Sequence, residues 1–484
     1  MEVLSFNIKD AQFEYPCREL LQQFEPETHV VFNDPQVPNG IEVEVEDNSL
    51  HLSFYGAQRD GLSRNYALKG TPLDKEGFKG VLYEFLCELY NRELEWGTLT
   101  GIKPVKMAHA RLRQGKTPET VMKDLKEAYC ISDRKVQLIT EIAEREIPLI
   151  YPLDASKVSV YIGVPICIAK CSYCSFISTV ADKKGLLAEA YLKNLCREIR
   201  DTGAFLRAHH IVIDTLYIGG GTPSVFNETQ LEILLSCIDE ALDLSKLREY
   251  TFESGRPETT TKVKLQQMKA HGVDRVCLNP QSMNASTLKA VGRLYEPEAI
   301  CRVMREIREV GFEAVNMDLI LGLNHESQED FLRSLEAVTA MAPENITVHS
   351  LSVKKGSAIK SATGRQVENL YPPAFYEAVE SYLRQQGYHP YYLYRQKYTQ
   401  GNGENVGYSL PGKEGIYNIL MMAEKQSIIG IGAGSSGKLF IPEEDRFERV
   451  FTVKDIRTYN ERYEEIFEKK MKSYREIFCS SSDR

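Results

Sequence analysis

The run VSVYIGVPICIAKCSYCSF (residues 158–176) joins a strand-like stretch of β-branched residues to three closely spaced cysteines. Cys167, Cys171 and Cys174 are separated by three and then two residues, so their thiolates can converge on one side of a short loop. This spacing suits three irons of a cubane [4Fe–4S] cluster, because the fourth iron of such a cluster then stays open.

Two other interpretations of the cysteine loop stay open. Structural zinc takes four ligands, and neither a histidine nor a further cysteine lies close by in sequence to supply the fourth. Coincidence of three buried cysteines is the second alternative, although Lys170, Ser172 and Ser175 make the loop polar. The other cysteines are scattered, and eleven in a chain of this length do not indicate a disulfide scaffold.

Outward from this loop, short β-branched runs alternate with longer amphipathic stretches. This alternation predicts an α/β fold with a parallel sheet, and six successive βα units predict an open, partial (βα)6 barrel. The expected strands are 158–164, 211–218, 250–254, 274–278, 314–320 and 345–351.

The rest of the chain suggests further segments on both sides of the barrel. We expect a small N-terminal α/β module (1–95), a helical connector (96–150), the partial barrel (151–352) and a mixed, partly helical C-terminal extension that covers the substrate (353–484). The last fifty residues are expected to be charged and helical.

Composition limits the classes of function. The chain has 484 residues, 43% of them hydrophobic, and a formal charge of −9 that argues against a general nucleic-acid surface. We find neither a signal-peptide pattern nor an apolar run long enough to cross a bilayer, so the sequence predicts no membrane insertion and a cytoplasmic location.

The glycine run GGGTP (219–223) follows the second expected strand. Alone, such a turn can serve packing only. Together with the CxxxCxxC loop and with Tyr173 just before the third cysteine, it resembles the signature of the radical S-adenosylmethionine (SAM) superfamily. The resemblance implies that SAM chelates the open iron, and that an electron from the cluster cleaves SAM to a 5′-deoxyadenosyl radical.

Three later stretches resemble the oxygen-independent coproporphyrinogen III dehydrogenases of the HemN/HemW superfamily. They are FESGRPETTT (252–261), NPQSMNASTLKAVGR (279–293) and VNMDLILGL (315–323). The run GENVGYSLPGKEGIYNILMMAEKQ (403–426) is similar to the HemZ-type branch of that superfamily. One departure is Phe176, which stands where the HemN branch carries a fourth cysteine that is not a cluster ligand.

The resemblance assigns cofactor contacts residue by residue. Contacts to the cluster-bound SAM would come from Tyr161, Gly220 and Glu253. A second SAM beside it would be faced by Tyr173, Gly221, Thr222, Gln281, Arg293, Asp318 and Ser352. Polar residues at the carboxyl ends of barrel strands lie at the catalytic mouth, but each has a structural alternative as a loop cap or a paired charge. For Arg293 that alternative is a solvated helix arginine.

The implied reaction is the oxidative decarboxylation of two propionates of coproporphyrinogen III to vinyl groups, which gives protoporphyrinogen IX for haem biosynthesis. The radical takes a hydrogen atom from a propionate β-carbon, and loss of CO2 and one electron then leaves the vinyl group. The implied partners are the tetrapyrrole, a reductant such as flavodoxin or ferredoxin, and an unidentified electron acceptor.

Candidate cations for the substrate carboxylates are Lys354, Lys355, Arg395 and Lys397. The tyrosines of YHPYYLY (388–394) are a candidate wall for a flat ligand, with core packing as the alternative.

Two other functions stay open on the same scaffold. Haem chaperones that resemble this family keep the cysteine loop but deliver haem, and they usually show a His-Asn dipeptide followed by Tyr-Trp. This chain has ENVGYS (404–409) in the corresponding region, which is closer to the dehydrogenase pattern. A radical SAM methyltransferase or a haem-degrading enzyme would use the second SAM as a methyl donor, and no motif excludes it.

Overall fold

The chain is described by a computed structural model covering residues 3–46, 49–56, 61–67, 73–101, 103–176, 179–182, 185–323, 326–352, 371–396, 399 and 403–478. It divides into two compact units, Met1–Glu144 with Arg395–Tyr398 and Arg145–Tyr394 with Thr399–Arg484. This grouping differs from the four segments expected from the sequence, because strands from the C-terminal part join the same sheet as the barrel strands.

The first unit contains a five-stranded mixed sheet in its described part. Its strands are β1 (Val3–Ile8), β2 (His29–Phe32), β3 (Gly40–Glu46), β4 (Ser49–Tyr55) and β5 (Ser63–Ala67), in the order β2-β1-β3-β4-β5. Helices α1 (Glu14–Phe24) and α2 (Lys75–Tyr90) pack their buried leucines and phenylalanines on this sheet and form its hydrophobic core. Three helices follow, which are α3 (Val105–Arg113), α4 (Pro118–Tyr129) and α5 (Asp133–Ile150).

The second unit confirms the six predicted strands. They are β6 (Lys157–Val164), β9 (Val212–Gly220), β10 (Glu249–Gly255), β11 (Arg275–Leu278), β12 (Ala314–Leu321) and β13 (Asn345–Ser350), and each is parallel to the next. Two short strands, β7 (Ile166–Cys167) and β8 (Thr179–Val180), pair with each other outside the large sheet. The six strands are rich in buried aliphatic residues, as expected for a parallel sheet that is covered on both faces.

Helices connect these strands in the order expected for βα units. They are α6 (Leu186–Ala208), α7 (Glu228–Ala241), α8 (Lys262–Ala270), α9 (Ala285–Ala290), α10 (Pro297–Val310), α11 (Gln328–Ala340) and α12 (Pro373–Gln385). Asn227 caps α7, since its side chain accepts from the Gln230 amide while the Gln230 side chain accepts from the Asn227 amide. Among the described helices, none is both long enough and apolar enough to span a bilayer.

The C-terminal part extends the sheet at both edges. Its strands are β14 (His389–Arg395), β15 (Glu404–Ser409), β16 (Ser427–Ile431), β17 (Gly437–Ile441) and β18 (Arg446–Val450), which give the order β14-β15-β13-β12-β11-β10-β9-β6-β16-β17-β18 in the described part of the unit. Helix α13 (Ile416–Ala423) precedes β16, and α14 (Ile456–Glu461) and α15 (Tyr463–Phe478) follow β18.

The expectation of an entirely helical last fifty residues is therefore wrong for β17 and β18. These two strands are antiparallel partners at an edge of the sheet, and most side chains of the charged run RFERV (446–450) are exposed. A charged, solvent-facing edge strand shows no apolar period, so its sequence does not distinguish it from a polar helix. The helical part of the expectation is confirmed by α14 and α15.

Candidate active site

The cysteine loop begins where the first barrel strand ends. Cys167 lies in β7, and the Ala181 amide donates to its carbonyl oxygen at 2.8 Å. Further along, the Ser172 amide donates to the Val291 carbonyl at 3.1 Å, which joins the loop to the segment after α9. The loop is therefore fixed by backbone contacts at the carboxyl ends of the strands, where parallel α/β folds bind their ligands.

Each of the first two thiols has a side-chain contact. Thr222 Oγ1 lies 3.6 Å from Cys167 Sγ, and Arg256 Nη2 lies 2.8 Å from the buried Cys171 Sγ. A Cβ at Gly221 would approach Cys167 Sγ to 2.9 Å and the Ile166 carbonyl oxygen to 2.6 Å. Only glycine fits there, because the backbone after β9 runs against the cysteine loop.

The third thiol, that of Cys174, is half-buried. Burial raises the pKa of Cys174, and the neighbouring Cys171 and Cys167 raise it further. This electrostatic coupling means that the three sulfurs share one local environment. Thiols that share one environment are suited to bind a soft metal centre together.

A cluster makes a different geometric demand from a single metal ion. Within the described ranges, no group of three His, Cys, Asp or Glu side chains is arranged to hold one metal ion. In a cubane cluster each cysteine binds its own iron, so the three sulfurs are spread around the cluster instead of meeting at one centre. Soft thiolate donors and a buried guanidinium beside one of them fit an iron–sulfur cluster.

The glycine turn after β9 binds a partly buried carboxylate. The Gly220 amide donates to Glu253 Oε2 at 3.1 Å, and the Tyr217 hydroxyl donates to Glu253 Oε1 at 2.6 Å. Gly220 has φ +120°, a conformation that favours glycine. Burial, together with the charge of Asp318, raises the pKa of Glu253 to about 7. A carboxyl group with a pKa raised this far is typical of functional sites.

Three stacked tyrosines lie beside this carboxylate. The ring centroids of Tyr217 and Tyr417 are 4.6 Å apart, and Tyr161 stacks on Tyr217 at 6.0 Å. Burial raises the pKa of Tyr161, and the charge of Glu253 raises it further. The stack therefore forms a neutral aromatic wall next to the carboxyl end of β6.

A second group of polar residues follows β11 in sequence and comprises Asn279, Gln281 and Arg293. Gln281 has φ +69°, and its backbone exchanges hydrogen bonds with the Asp318 carbonyl at 2.8 Å and the Ile320 amide at 2.9 Å. Arg293 is buried, with Nη1 donating to the Asn279 carbonyl at 2.6 Å, so the solvated alternative for this arginine is wrong. Arginine is seldom buried unless it has a partner, so the burial of Arg293 indicates a specific role for its charge.

Three buried polar atoms in this group lack a hydrogen-bond partner among the described residues. They are Arg293 Nε, Gln281 Oε1 and Asn279 Oδ1. A buried polar group without a partner costs free energy, so natural proteins seldom keep several of them together. One donor and two acceptors at the ends of neighbouring segments fit a polar ligand that completes their hydrogen bonds.

Tyr173 connects the cysteine loop to this second group. Its ring packs against a small cluster formed by Val291, Ile320, Leu323 and Leu351. Burial raises the pKa of Tyr173, while the Arg293 guanidinium opposes this rise. The two predicted SAM-facing residues therefore share one buried environment next to the cysteines.

Asp318 is paired with a histidine that the sequence reasoning did not single out. Asp318 Oδ2 lies 3.8 Å from His349 Nε2, and Asn316 Nδ2 donates to Asp318 Oδ1 at 2.7 Å. Burial alone would raise the pKa of Asp318, but His349 and Asn316, with the Thr347 hydroxyl, hold it below its usual value. Asp318 is therefore held as a carboxylate inside the protein.

The remaining predicted residues include Ser352 and Arg395, which the structure describes. Ser352 is half-buried and forms an isolated β-bridge with Thr399. Three of the predicted substrate cations, Lys354, Lys355 and Lys397, lie outside the described residues.

The other predicted contacts to substrate are buried within the protein. The Arg395 guanidinium lies 4.8 Å from the Trp96 ring centroid and donates to the Leu99 carbonyl at 2.6 Å. Tyr391 and Tyr392 are core residues that pack with Ile150, Ile419, Leu420 and Ala423, which supports the core alternative for these two tyrosines.

Sequence reasoning missed Arg256, Tyr217 and His349 as parts of this site. His349 lies at the end of the sixth barrel strand, so the rule about polar residues at strand ends was a sufficient signal for it. Arg256 lies within the quoted FESGRP run but carries no motif meaning by itself. Tyr217 lies inside a strand pattern that is fully explained by packing.

Comparisons with known proteins agree with this architecture. A family model of the radical SAM superfamily matches residues 161–338. The chain is 33% identical over 499 residues to the "Oxygen-independent coproporphyrinogen-III oxidase-like protein HemZ" of Bacillus subtilis (strain 168), and the match covers 99% of both chains. It is 29% identical over 285 residues to the heme chaperone HemW of Lactococcus lactis, with 58% of this chain and 69% of the chaperone covered.

A solved structure supports the fold. The coproporphyrinogen III oxidase HemN of Escherichia coli, described as a radical SAM enzyme, aligns with a TM-score of 0.52 at 19% identity. The alignment covers 64% of this chain and 70% of that one. Together with the order of the parallel strands, it confirms the predicted α/β fold with a partial (βα)6 radical SAM barrel.

Proposed function

Because this chain belongs to the radical SAM superfamily, in the HemZ-type branch of its HemN/HemW group, we propose that it converts coproporphyrinogen III to protoporphyrinogen IX without oxygen. The observation that carries the proposal is the meeting, at the strand ends, of the cysteine loop with the partly buried Glu253 carboxylate and the buried Arg293 guanidinium. The full-length similarity to a coproporphyrinogen oxidase-like protein supports the choice of substrate.

In this proposal Cys167, Cys171 and Cys174 hold a [4Fe–4S] cluster. When bound, the cluster and SAM supply a carbon radical that is strong enough to break an unactivated C–H bond. The polar contacts to the thiols, Thr222 at Cys167 and Arg256 at Cys171, support this role because a hydroxyl and a guanidinium can donate hydrogen bonds to cluster-bound sulfurs.

The first SAM is proposed to lie against Tyr161, Gly220 and Glu253. The carboxylate of Glu253, with its pKa of about 7, is suited to accept from the amino group of SAM, and that cation would lower the pKa again. The tyrosine stack excludes water from the same side.

A second SAM is proposed beside the first. Its ligands in this proposal are Tyr173, Gly221, Thr222, Gln281, Arg293, Asp318 and Ser352. The buried atoms of Arg293 and Gln281 that lack protein partners support a polar ligand here, since the guanidinium can hold a carboxylate and the amide oxygen can accept from an amino group. Ser352 has the weakest support, because its described contact is with Thr399.

The reaction must balance at each of two propionates. One hydrogen atom leaves the β-carbon, CO2 leaves from the carboxylate, and one electron passes to an acceptor, so that a –CH2–CH2–COO⁻ chain becomes a vinyl group. The starting electron comes from a low-potential one-electron donor of the flavodoxin or ferredoxin class. Reduced thiols and an oxygen-sensitive cluster require a reducing compartment, so we also propose a cytoplasmic location.

The test begins with anaerobic reconstitution of the cluster. The protein is then given SAM, a reductant and coproporphyrinogen III, and mass spectrometry follows the vinyl product and 5′-deoxyadenosine. Cys171→Ala should abolish both products, whereas Cys301→Ala, a control cysteine on α10, should retain them.

The competing functions predict other outcomes. SAM cleavage without any vinyl product would indicate a methyltransferase or a haem-degrading enzyme. The similarity to a haem chaperone makes tight haem binding without substrate turnover the third outcome, and it would overturn the proposed decarboxylation.

A further inference from the structure

Arg256 lies directly after β10, at a local irregularity of the sheet. The pairing of β10 with β11 shifts register between Glu253 and Gly255, and Gly255 has φ +69°. Such a shift in a strand changes the direction of the next side chains. At this position it brings the Arg256 side chain to the cysteine loop.

The guanidinium of Arg256 makes two contacts with that loop. Nη2 lies 2.8 Å from Cys171 Sγ and 3.3 Å from the Ala169 carbonyl oxygen. Arg256 and Cys171 are 4% and 7% exposed, so the contact is shielded from solvent. A hydrogen bond from a cationic donor is stronger than a neutral one, and shielding strengthens it further.

The backbone of Arg256 is also held in place. Its amide donates to the Ser254 carbonyl at 2.8 Å, and its carbonyl accepts from the Thr260 hydroxyl at 2.9 Å and the Thr259 hydroxyl at 3.2 Å. The guanidinium is therefore presented by a fixed turn, which makes its distance to Cys171 a stable feature of the fold.

The positive charge of Arg256 is only partly balanced. Among the described residues its ion-pair partner is Glu258, whose Oε1 lies 3.5 Å from Arg256 Nη1 and whose side chain is 27% exposed. Water screens such a partner, so a net positive potential remains on the side of Cys171.

We propose that Arg256 is a positioning residue that raises the reduction potential of the cluster through its hydrogen bond to the Cys171 sulfur. The inference rests on the proposed function, because it requires the [4Fe–4S] cluster. Reduction adds negative charge to the cluster and its thiolates, so a cationic donor at one sulfur stabilises the reduced form more than the oxidised form. Arg256 would thereby make the cluster easier to reduce before SAM is cleaved.

The test is a redox titration of the reconstituted full-length protein, followed by the electron paramagnetic resonance signal of the reduced cluster. Arg256→Gln should lower the ratio of reduced to oxidised cluster at a fixed potential about tenfold, which for a one-electron couple corresponds to a shift of about 59 mV to more negative potential. Arg256→Lys keeps the charge and should recover part of the shift. The control Arg302→Gln, at an exposed pair on α10, should leave the potential unchanged.

The outcomes separate this inference from the proposed function. A wild-type protein that binds no cluster would overturn both. A wild-type cluster with normal SAM cleavage, together with an unchanged potential in Arg256→Gln, would overturn only the role of Arg256.

A second variant covers the case in which Arg256→Gln fails to hold a cluster. Glu258→Gln removes the partial neutralisation of Arg256 without touching the loop, so it should shift the potential to a more positive value. An unchanged potential in Glu258→Gln would then overturn the inference.

Discussion

Two glutamates in the second unit, one buried and one partly buried, are treated in opposite ways by the fold. Glu198 on α6 is 2% exposed, and its carboxylate accepts hydrogen bonds from the Lys470 ammonium, the Tyr459 hydroxyl and the Gly432 amide. Its charge has a cation and two further donors, so it connects α6, α14, α15 and the segment after β16. Such a fully partnered charge serves the structure.

Glu253 has a smaller set of partners. Its carboxylate accepts from the Tyr217 hydroxyl and the Gly220 amide, and among the described residues no ion pair includes it. Its pKa is raised to about 7, chiefly by burial. Because Glu253 is partly buried at the ends of parallel strands and has no cation among the described residues, the difference supports the proposal that it accepts a ligand that brings the missing positive charge.

The largest effect is expected at the structural glutamate. Lys470→Met leaves Glu198 buried without its cation, so we expect a loss of about 3–5 kcal/mol in the free energy of unfolding. Urea unfolding followed by far-UV circular dichroism measures it, while fluorescence of Trp96, the one tryptophan of the chain, follows the first unit. Lys472→Met, at an exposed pair with Glu476, is the control and should change stability by less than about 0.5 kcal/mol.

A small loss in the free energy of unfolding of Lys470→Met would contradict the comparison. Glu198 would then tolerate the absence of a cation just as Glu253 does. Equal shifts in circular dichroism and in Trp96 fluorescence would show that the effect is not confined to the second unit.

The next effect concerns the pH dependence of Glu253. Below pH 4.5 this carboxyl is protonated in the folded and unfolded chains alike. Between pH 4.5 and about 7 the unfolded chain loses the proton while the folded chain keeps it, so stability falls as pH rises. In protein without SAM, the advantage of Glu253→Gln over wild type should therefore grow by about 3 kcal/mol from pH 4.5 to pH 8.

Urea unfolding at several pH values measures this growth, with Glu468→Gln on the exposed face of α15 as the control. An advantage that stays constant with pH would mean that Glu253 is as well compensated as Glu198. The same variant should bind SAM more weakly, which distinguishes a ligand-binding carboxylate from a merely destabilising one.

The smallest effect is expected at an intermediate case, the pair of Asp318 and His349. The atoms of this pair are 3.8 Å apart, so the imidazole stabilises the carboxylate less than a close ammonium partner would. His349→Phe should weaken SAM binding about five- to tenfold, or by about 1–1.4 kcal/mol, because Asp318 loses a partner that keeps it ionised and in position. Equilibrium dialysis of the reconstituted protein measures it, and His29→Phe on the exposed β2 is the control. If His349→Phe binds SAM with wild-type affinity, Asp318 does not contribute to SAM binding.

Much of the fold was predictable because it depends on local patterns. The six barrel strands are β-branched runs between amphipathic helices, and their observed limits differ from the prediction by at most two residues. The cysteine loop was equally visible, since its three thiols lie within eight residues of sequence, from Cys167 to Cys174.

The parts that were not predicted depend on contacts between distant residues. Lys470 looks like one more charge in a polar helix, yet it is buried against Glu198, 272 positions earlier. Arg256 and Cys171 are 85 positions apart, and only the turn after β10 brings them together. Sequence periodicity reports which face of an element is apolar, but it does not report which distant charge that face will meet.

The pairing of β16 with β6 has a consequence for the synthesis of the protein. Ser427 pairs with Val158 and Ile431 with Ile162, so one edge of the strand that precedes the cysteine loop is completed by residues made some 270 positions later. During translation that apolar edge stays open while most of the barrel is already assembled, and an open edge is a site of faulty pairing and aggregation. We therefore expect the strand that leads into the cysteine loop to reach its final pairing only after β16 has been synthesised.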